Sequence, residues 1–95
     1  MKKEIQELIK NLPNLSKAYL FGSRAKNTHN DDSDYDICIV IKDLDKDLVF
    51  KTITDYMIAN KDFIQPLVLT DDEFNEKIQI EIYKREIVEN GKLIA

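Results

Sequence analysis

Two aspartates, Asp34 and Asp36, stand two positions apart at the head of an apolar run, and a Gly22-Ser23 pair precedes them by ten intervening residues. If the run is a strand, residues at i and i+2 face one side, with Cα atoms roughly 6.5–7 Å apart. Two ionised carboxylates on one face repel each other. A hard cation with oxygen ligands relieves that repulsion, and Mg²⁺ characteristically takes one or two carboxylates together with substrate phosphates. The Gly-Ser pair offers the complementary half. Glycine permits a tight turn and close approach of a ligand to the backbone. If Arg24 opens a helical turn, free N–H groups there point at an anion. The Ser23 hydroxyl can donate to a phosphate oxygen, and Arg24 adds charge. Metal on one side and donors on the other would clamp a triphosphate.

These residues need two strands and a short connection to hold them. Lys17 to Phe21 is short, apolar and aromatic, as a strand requires. Gly22-Ser23 breaks it, Arg24 to Thr28 suits a helical turn, and His29 to Ser33 is a polar loop rich in turn formers. Tyr35 to Ile41 is a near-continuous apolar run, the mark of a strand buried on both faces. Around this unit, Ile5, Leu8, Ile9 and Leu12 recur at helical spacing, predicting a helix from Lys2 to about Asn11. Lys42 to Lys46 reads as a charged loop, and Asp45 to Ala59 as a second amphipathic helix. Phe63 to Leu69 is a third strand, with Pro66 favouring an edge position because it lacks a backbone donor. Thr70 with Glu73 forms a capping-box pattern, and one helix is expected to run from there to Glu89 or Asn90, with Phe74, Ile78, Ile82 and Tyr83 inward and Gly91 as the stop. The expected fold is therefore α/β or α+β: a mixed sheet of about three strands flanked by helices, in one domain over residues 1–95.

Bulk properties narrow the function. With 14 Lys and Arg against 18 Asp and Glu, the net charge is −4, which argues against a grip on long nucleic acid, where clustered basic residues must neutralise phosphates. Cys38 is the single cysteine and reads as a small core residue. No apolar run approaches the roughly 18–20 residues that span a bilayer, and the N-terminus lacks a signal-peptide pattern. The expected compartment is the cytoplasm, with no membrane association.

Gly22-Ser23, ten residues, then Asp34-x-Asp36 resembles the signature of the polymerase β-type nucleotidyltransferases. The fuller strings, Phe-Gly-Ser-Arg-Ala from Phe21 and Ser-Asp-Tyr-Asp-Ile from Ser33, look like the bacterial and archaeal minimal nucleotidyltransferases (MNT), often paired with a helical HEPN protein in toxin–antitoxin systems. The resemblance implies a polymerase β-like fold. It implies that Gly22 and Ser23, with Arg24, hold the triphosphate of a nucleotide such as ATP, and that Asp34 and Asp36 are catalytic ligands of Mg²⁺, two ions in an active site. It implies transfer of a nucleoside monophosphate, AMP from ATP, to a hydroxyl acceptor on a HEPN-type partner, with pyrophosphate released. An antitoxin that acts by direct binding, with weak or no catalysis, is the alternative.

Two departures from the family pattern stand out. A glycine common shortly after Gly-Ser is replaced by Lys26-Asn27, where Asn27 tolerates a left-handed backbone. A third carboxylate usual on the next core strand is missing. Gln65 stands about where it is expected, and Asp62, just before the strand, is the candidate substitute. His29 reads as a solvated loop residue and the four tyrosines as packing residues, although a tyrosine can stack a base. A 95-residue chain has no room for an acceptor-binding domain, so a partner or a second copy is expected to dock on an apolar helical face or on the Lys92–Ala95 tail.

Overall fold

The computed structural model describes residues 1–43 and 45–95; Leu44, in the expected 42–46 loop, lies outside the described residues. Helix α1 (Lys3–Lys10) leads into β1 (Leu15–Phe21), a 3₁₀ turn over Gly22–Arg24, and β2 (Tyr35–Ile41). Helix α2 (Lys46–Asn60) then crosses to β3 (Ile64–Thr70), followed by α3 (Asp71–Lys77). A short helix α4 (Glu81–Tyr83) continues as a π-helical turn over Lys84–Glu89, and Lys92–Leu93 forms β4. The sheet order is β3-β2-β1-β4, with β2 and β3 parallel and β1 antiparallel to both β2 and β4.

Strand β2 is central, and its side chains divide by parity. Tyr35, Ile37, Ile39 and Ile41 pack with Ile5 and Ile9 of α1 and with Val49 and Ile53 of α2. Cys38 and Val40 point the other way and pack with Phe74 of α3 and Ile87 of the π-turn. Burial on both sides is why the run is apolar throughout, and each fully buried Ile or Val contributes about 1.5–3 kcal/mol. Asp36 has the parity of Cys38 and Val40, so it emerges on the face covered by the C-terminal segment.

Helix α3 opens with the expected capping box: Thr70 accepts from the Glu73 N–H, and the Glu73 carboxylate accepts from the Thr70 N–H. Pro66 lies in β3, an edge strand of the sheet. Asn27 does adopt the left-handed backbone, with φ 57°.

Two expectations are corrected. The single helix from Thr70 to about Glu89 is broken after Lys77. On one continuous helix, Phe74 and Ile87 would lie roughly 140° apart around the axis and could not both reach the sheet. The break re-phases the chain so that both are buried. Ile82 and Tyr83, expected inward, are instead 61% and 39% exposed.

The sheet also has a fourth strand. Rather than standing free for a partner, the tail pairs with β1: Tyr19 with Leu93 and Leu20 with Lys92, extended by hydrogen bonds from Ile94 N–H to Ala18 O and from Ala18 N–H to Ala95 O. Pairing satisfies an edge of β1 that would otherwise be open. Likewise α1 spends its apolar face on the sheet. Large exposed apolar side chains lie at Ile58 and Phe63, 75% and 66% exposed, around the α2–β3 connection, and Leu93 of the paired tail is itself 63% exposed.

Candidate active site

The site is built where β1 ends and β2 begins. Antiparallel register sets Phe21 opposite Asp36, so the Gly22-Ser23 turn begins directly beside that aspartate. Gly22 has φ +73°, a left-handed conformation that other residues rarely adopt. A Cβ added there would lie 2.3 Å from Asp36 Oδ2. Backbone and carboxylate are therefore in direct contact, and glycine is the residue that allows it.

The ten-residue connection is braced throughout. Ser23 O accepts from Thr28 N–H at 2.9 Å, and Gly22 O from Lys26 N–H at 3.2 Å. The Asn30 side-chain oxygen accepts from the Asp32 N–H at 2.9 Å, and Ser33 Oγ accepts from Asn30 N–H at 3.1 Å. Arg24 donates twice to Ser33 O, at 2.8 and 3.1 Å, and its guanidinium lies 3.8 Å from the centre of the Tyr35 ring. Arg24 thus reaches across the loop and fixes the residue before Asp34, on the side of Tyr35 rather than that of Asp36.

Asp34 and Asp36 are both partly buried and spaced across Tyr35, whose side chain is turned into the opposite core. Burial, and after it the negative charge of Asp34, pushes the Asp36 carboxyl above the usual carboxylate range. A partly desolvated carboxylate with a like-charged neighbour is a donor set that a divalent cation suits. Asp34 and Asp36 are the side chains that would hold it. Among the described residues, no group of three or more His, Cys, Asp and Glu side chains is placed to hold a metal ion.

The parallel register of β2 and β3 places Gln65 directly beside Asp36. The neighbouring-strand position is thus occupied by an amide, which coordinates weakly and cannot accept a proton at neutral pH. Asp62 is elsewhere. Its Oδ1 accepts from Lys2 Nζ at 2.6 Å and its Oδ2 from the Tyr56 hydroxyl at 3.0 Å. The Lys2 hydrogen bond, helped by Tyr56 and opposed by burial, holds its carboxyl below the usual range. Asp62 ties Lys2, just before α1, to Tyr56 of α2 and does not join Asp36.

In front of Asp36 lies an open cleft of about 530 Å³, walled on one side by Gly22, Asp36, Gln65 and Leu67. Ile82, Tyr83 and Glu86 wall the other side. Lys26, just after the Gly-Ser turn, pairs with Glu86 at 2.8 Å and so fastens the turn to that wall. The sequence reading missed this wall, because Ile82 and Tyr83 were expected in the core. His29 is exposed and lies away from this cleft.

Comparison with known proteins agrees with the geometry. The family model "Polymerase beta, Nucleotidyltransferase" matches residues 3–95. A protein of Methanocaldococcus jannaschii, to which protein adenylyltransferase activity is ascribed, is 30% identical over 80 residues, spanning 84% of this chain and 78% of the relative. Among solved structures, a chain of a toxin–antitoxin complex with AMP-PNP superposes with a TM-score of 0.67 at 22% identity, over 99% of this chain and 73% of that one. A chain of the complex between the tri-AMPylated Shewanella oneidensis HEPN toxin and its MNT antitoxin gives 0.58 at 21% identity, over 97% of this chain and 66% of that one. At such identities the structural likeness establishes the fold. No described helix is long and apolar enough to cross a membrane.

Proposed function

The chain belongs to the polymerase β nucleotidyltransferase family, and we propose on that premise that it transfers AMP from ATP to a hydroxyl of a HEPN-type partner protein, acting as its antitoxin. The observation that carries this reading is the packing of the Gly22 backbone on the Asp36 carboxylate, which brings the Gly22-Ser23 turn against one of the two aspartates. In the reaction, an acceptor hydroxyl oxygen bonds to the α-phosphorus of the nucleotide. The bond from that phosphorus to the bridging oxygen of the β-phosphate breaks, pyrophosphate leaves and the hydroxyl proton is released.

The residues have distinct roles in this proposal. Asp34 and Asp36 hold Mg²⁺, which when bound supplies charge to offset that building on the phosphates. Gly22 and Ser23 present backbone and hydroxyl donors to the triphosphate. Arg24 acts as a positioning residue: by holding Ser33 O it fixes the entry into Asp34. Support for a protein acceptor comes from the relative with ascribed adenylyltransferase activity and from the AMPylated toxin complex that shares the fold.

One observation favours a second reading, an antitoxin that works by contact alone. Gln65 beside Asp36 gives this strand no carboxylate to take the acceptor's proton. Intact mass spectrometry of the HEPN-type partner, after incubation with this chain, ATP and Mg²⁺, separates the two. The proposed activity adds mass in AMP units, and Asp34→Ala/Asp36→Ala abolishes the gain. No gain, with a stable complex formed by both versions, would leave the contact antitoxin.

A further inference from the structure

We propose that the cleft between β3 and the Ile82–Glu86 segment is the nucleoside subsite, with Tyr83 as the surface on which the base stacks. The inference rests on the nucleotide-transfer reading and deepens it. The cleft has two chemically different parts. Its floor near Gly22 and Asp36 is polar and belongs to the phosphate and cation site. Two residues further along β3, Leu67 faces the same side as Gln65, and across from it stand Ile82 and Tyr83. A cleft that is polar and cation-seeking at one end and apolar and aromatic at the other matches a molecule with a polyphosphate at one end and a flat ring at the other.

The state of the wall residues supports the same occupant. Ile82 and Tyr83 are apolar or aromatic side chains left well exposed, on a segment whose helix breaks so that Ile87 can anchor it to the sheet. Lys77 Nζ sits 4.2 Å from the centre of the Tyr83 ring and braces it at the edge of the cleft. The Gln65 amide, on the floor beside Asp36, can both donate and accept hydrogen bonds to a sugar hydroxyl or base edge. Lys26–Glu86 then couples occupancy of this wall to the Gly-Ser turn.

The test compares two probes on the intact chain by calorimetry in Mg²⁺: a non-hydrolysable ATP analogue and inorganic tripolyphosphate. Stacking on an aromatic side chain is worth enough that Tyr83→Ala is expected to raise the analogue's Kd roughly 5- to 100-fold. Tyr83→Phe, which keeps the ring, is expected to stay within about twofold, and tripolyphosphate affinity is expected to be the same for all three proteins. Tyr83 is on the surface, so circular dichroism of Tyr83→Ala should match the wild type. Unchanged analogue affinity in Tyr83→Ala would overturn the subsite and point to a cleft used by the acceptor, leaving nucleotide transfer intact. An equal loss for both probes would overturn it as well, since the effect would then lie on the phosphate site. Failure of the wild type to bind either probe would instead sink the nucleotide-transfer reading, and the subsite with it.

Discussion

Replacing Gly22 by alanine tests the junction of turn and carboxylate, and its cost separates into two parts. The first is conformational. At φ +73° an L residue pays for the left-handed backbone, about 1–2 kcal/mol. The second is steric. The new Cβ would stand 2.3 Å from Asp36 Oδ2 and 3.2 Å from its Cγ, but 3.4 Å from its Cβ, which is ordinary contact. The carboxylate must therefore swing away, and holding it off its preferred rotamer costs about 0.5–1.5 kcal/mol. Together the loss of stability is about 1.5–3.5 kcal/mol, measurable by urea denaturation. The catalytic consequence is larger, because a misplacement of about 1 Å at a reacting site can cost roughly 100-fold in rate. A double-mutant cycle isolates the steric part. In an Asp36→Ala background the clashing atoms are gone, so Gly22→Ala should cost only the conformational part, and the coupling energy should be about 0.5–1.5 kcal/mol. A coupling of zero, or a Gly22→Ala protein with wild-type stability and wild-type AMP transfer, would refute the argument that the turn rests on Asp36.

Three further outcomes are expected. Asp36 has its carboxyl raised above the usual range by burial and by Asp34, so its ionisation opposes folding increasingly as pH rises from the unfolded carboxyl value, about 3.9, through the folded one. Asp36→Asn should therefore gain stability relative to wild type on going from pH 4 to pH 7 in metal-free urea titrations, and an equal difference at both pH values would contradict this. Phe74 is buried, stacks on Tyr19 with ring centres 5.8 Å apart and lies under Lys17 Nζ; Phe74→Ala should cost about 3–5 kcal/mol by denaturation, and a loss below about 1 kcal/mol would mean that α3 is not seated on the sheet. The Cys38 thiol is pushed up to about 12 by burial, against weaker opposing effects of Lys77 and Lys17, so native protein at pH 8 should resist iodoacetamide until denaturant is added, whereas rapid native labelling would contradict the central position of β2.

The sequence by itself determined what depends on neighbours within a few residues. The alternation of side chains from Asp34 into Tyr35–Ile41 put Asp34 and Asp36 on one side, the apolar run Ile37–Ile41 made the strand central, and Thr70 with Glu73 marked the start of α3. Gly22 and Asn27 were legible for the same reason, since a left-handed residue is a local matter. The sequence offered Gln65 for the position beside Asp36 and Asp62 as a substitute, and tertiary structure decided between them. Strand register is set by how α2 packs and by where β3 enters the sheet, so Gln65 falls opposite Asp36 while Asp62, three residues earlier, is drawn away to Lys2 and Tyr56. It likewise decided that Arg24 serves Ser33, that residues 92–93 complete the sheet, and that the helix breaks to place Tyr83 at the cleft. Each of these is a contact between segments far apart in the chain. Periodicity and propensity carry no information about such contacts, because they reflect the face a residue presents and not the partner that covers it.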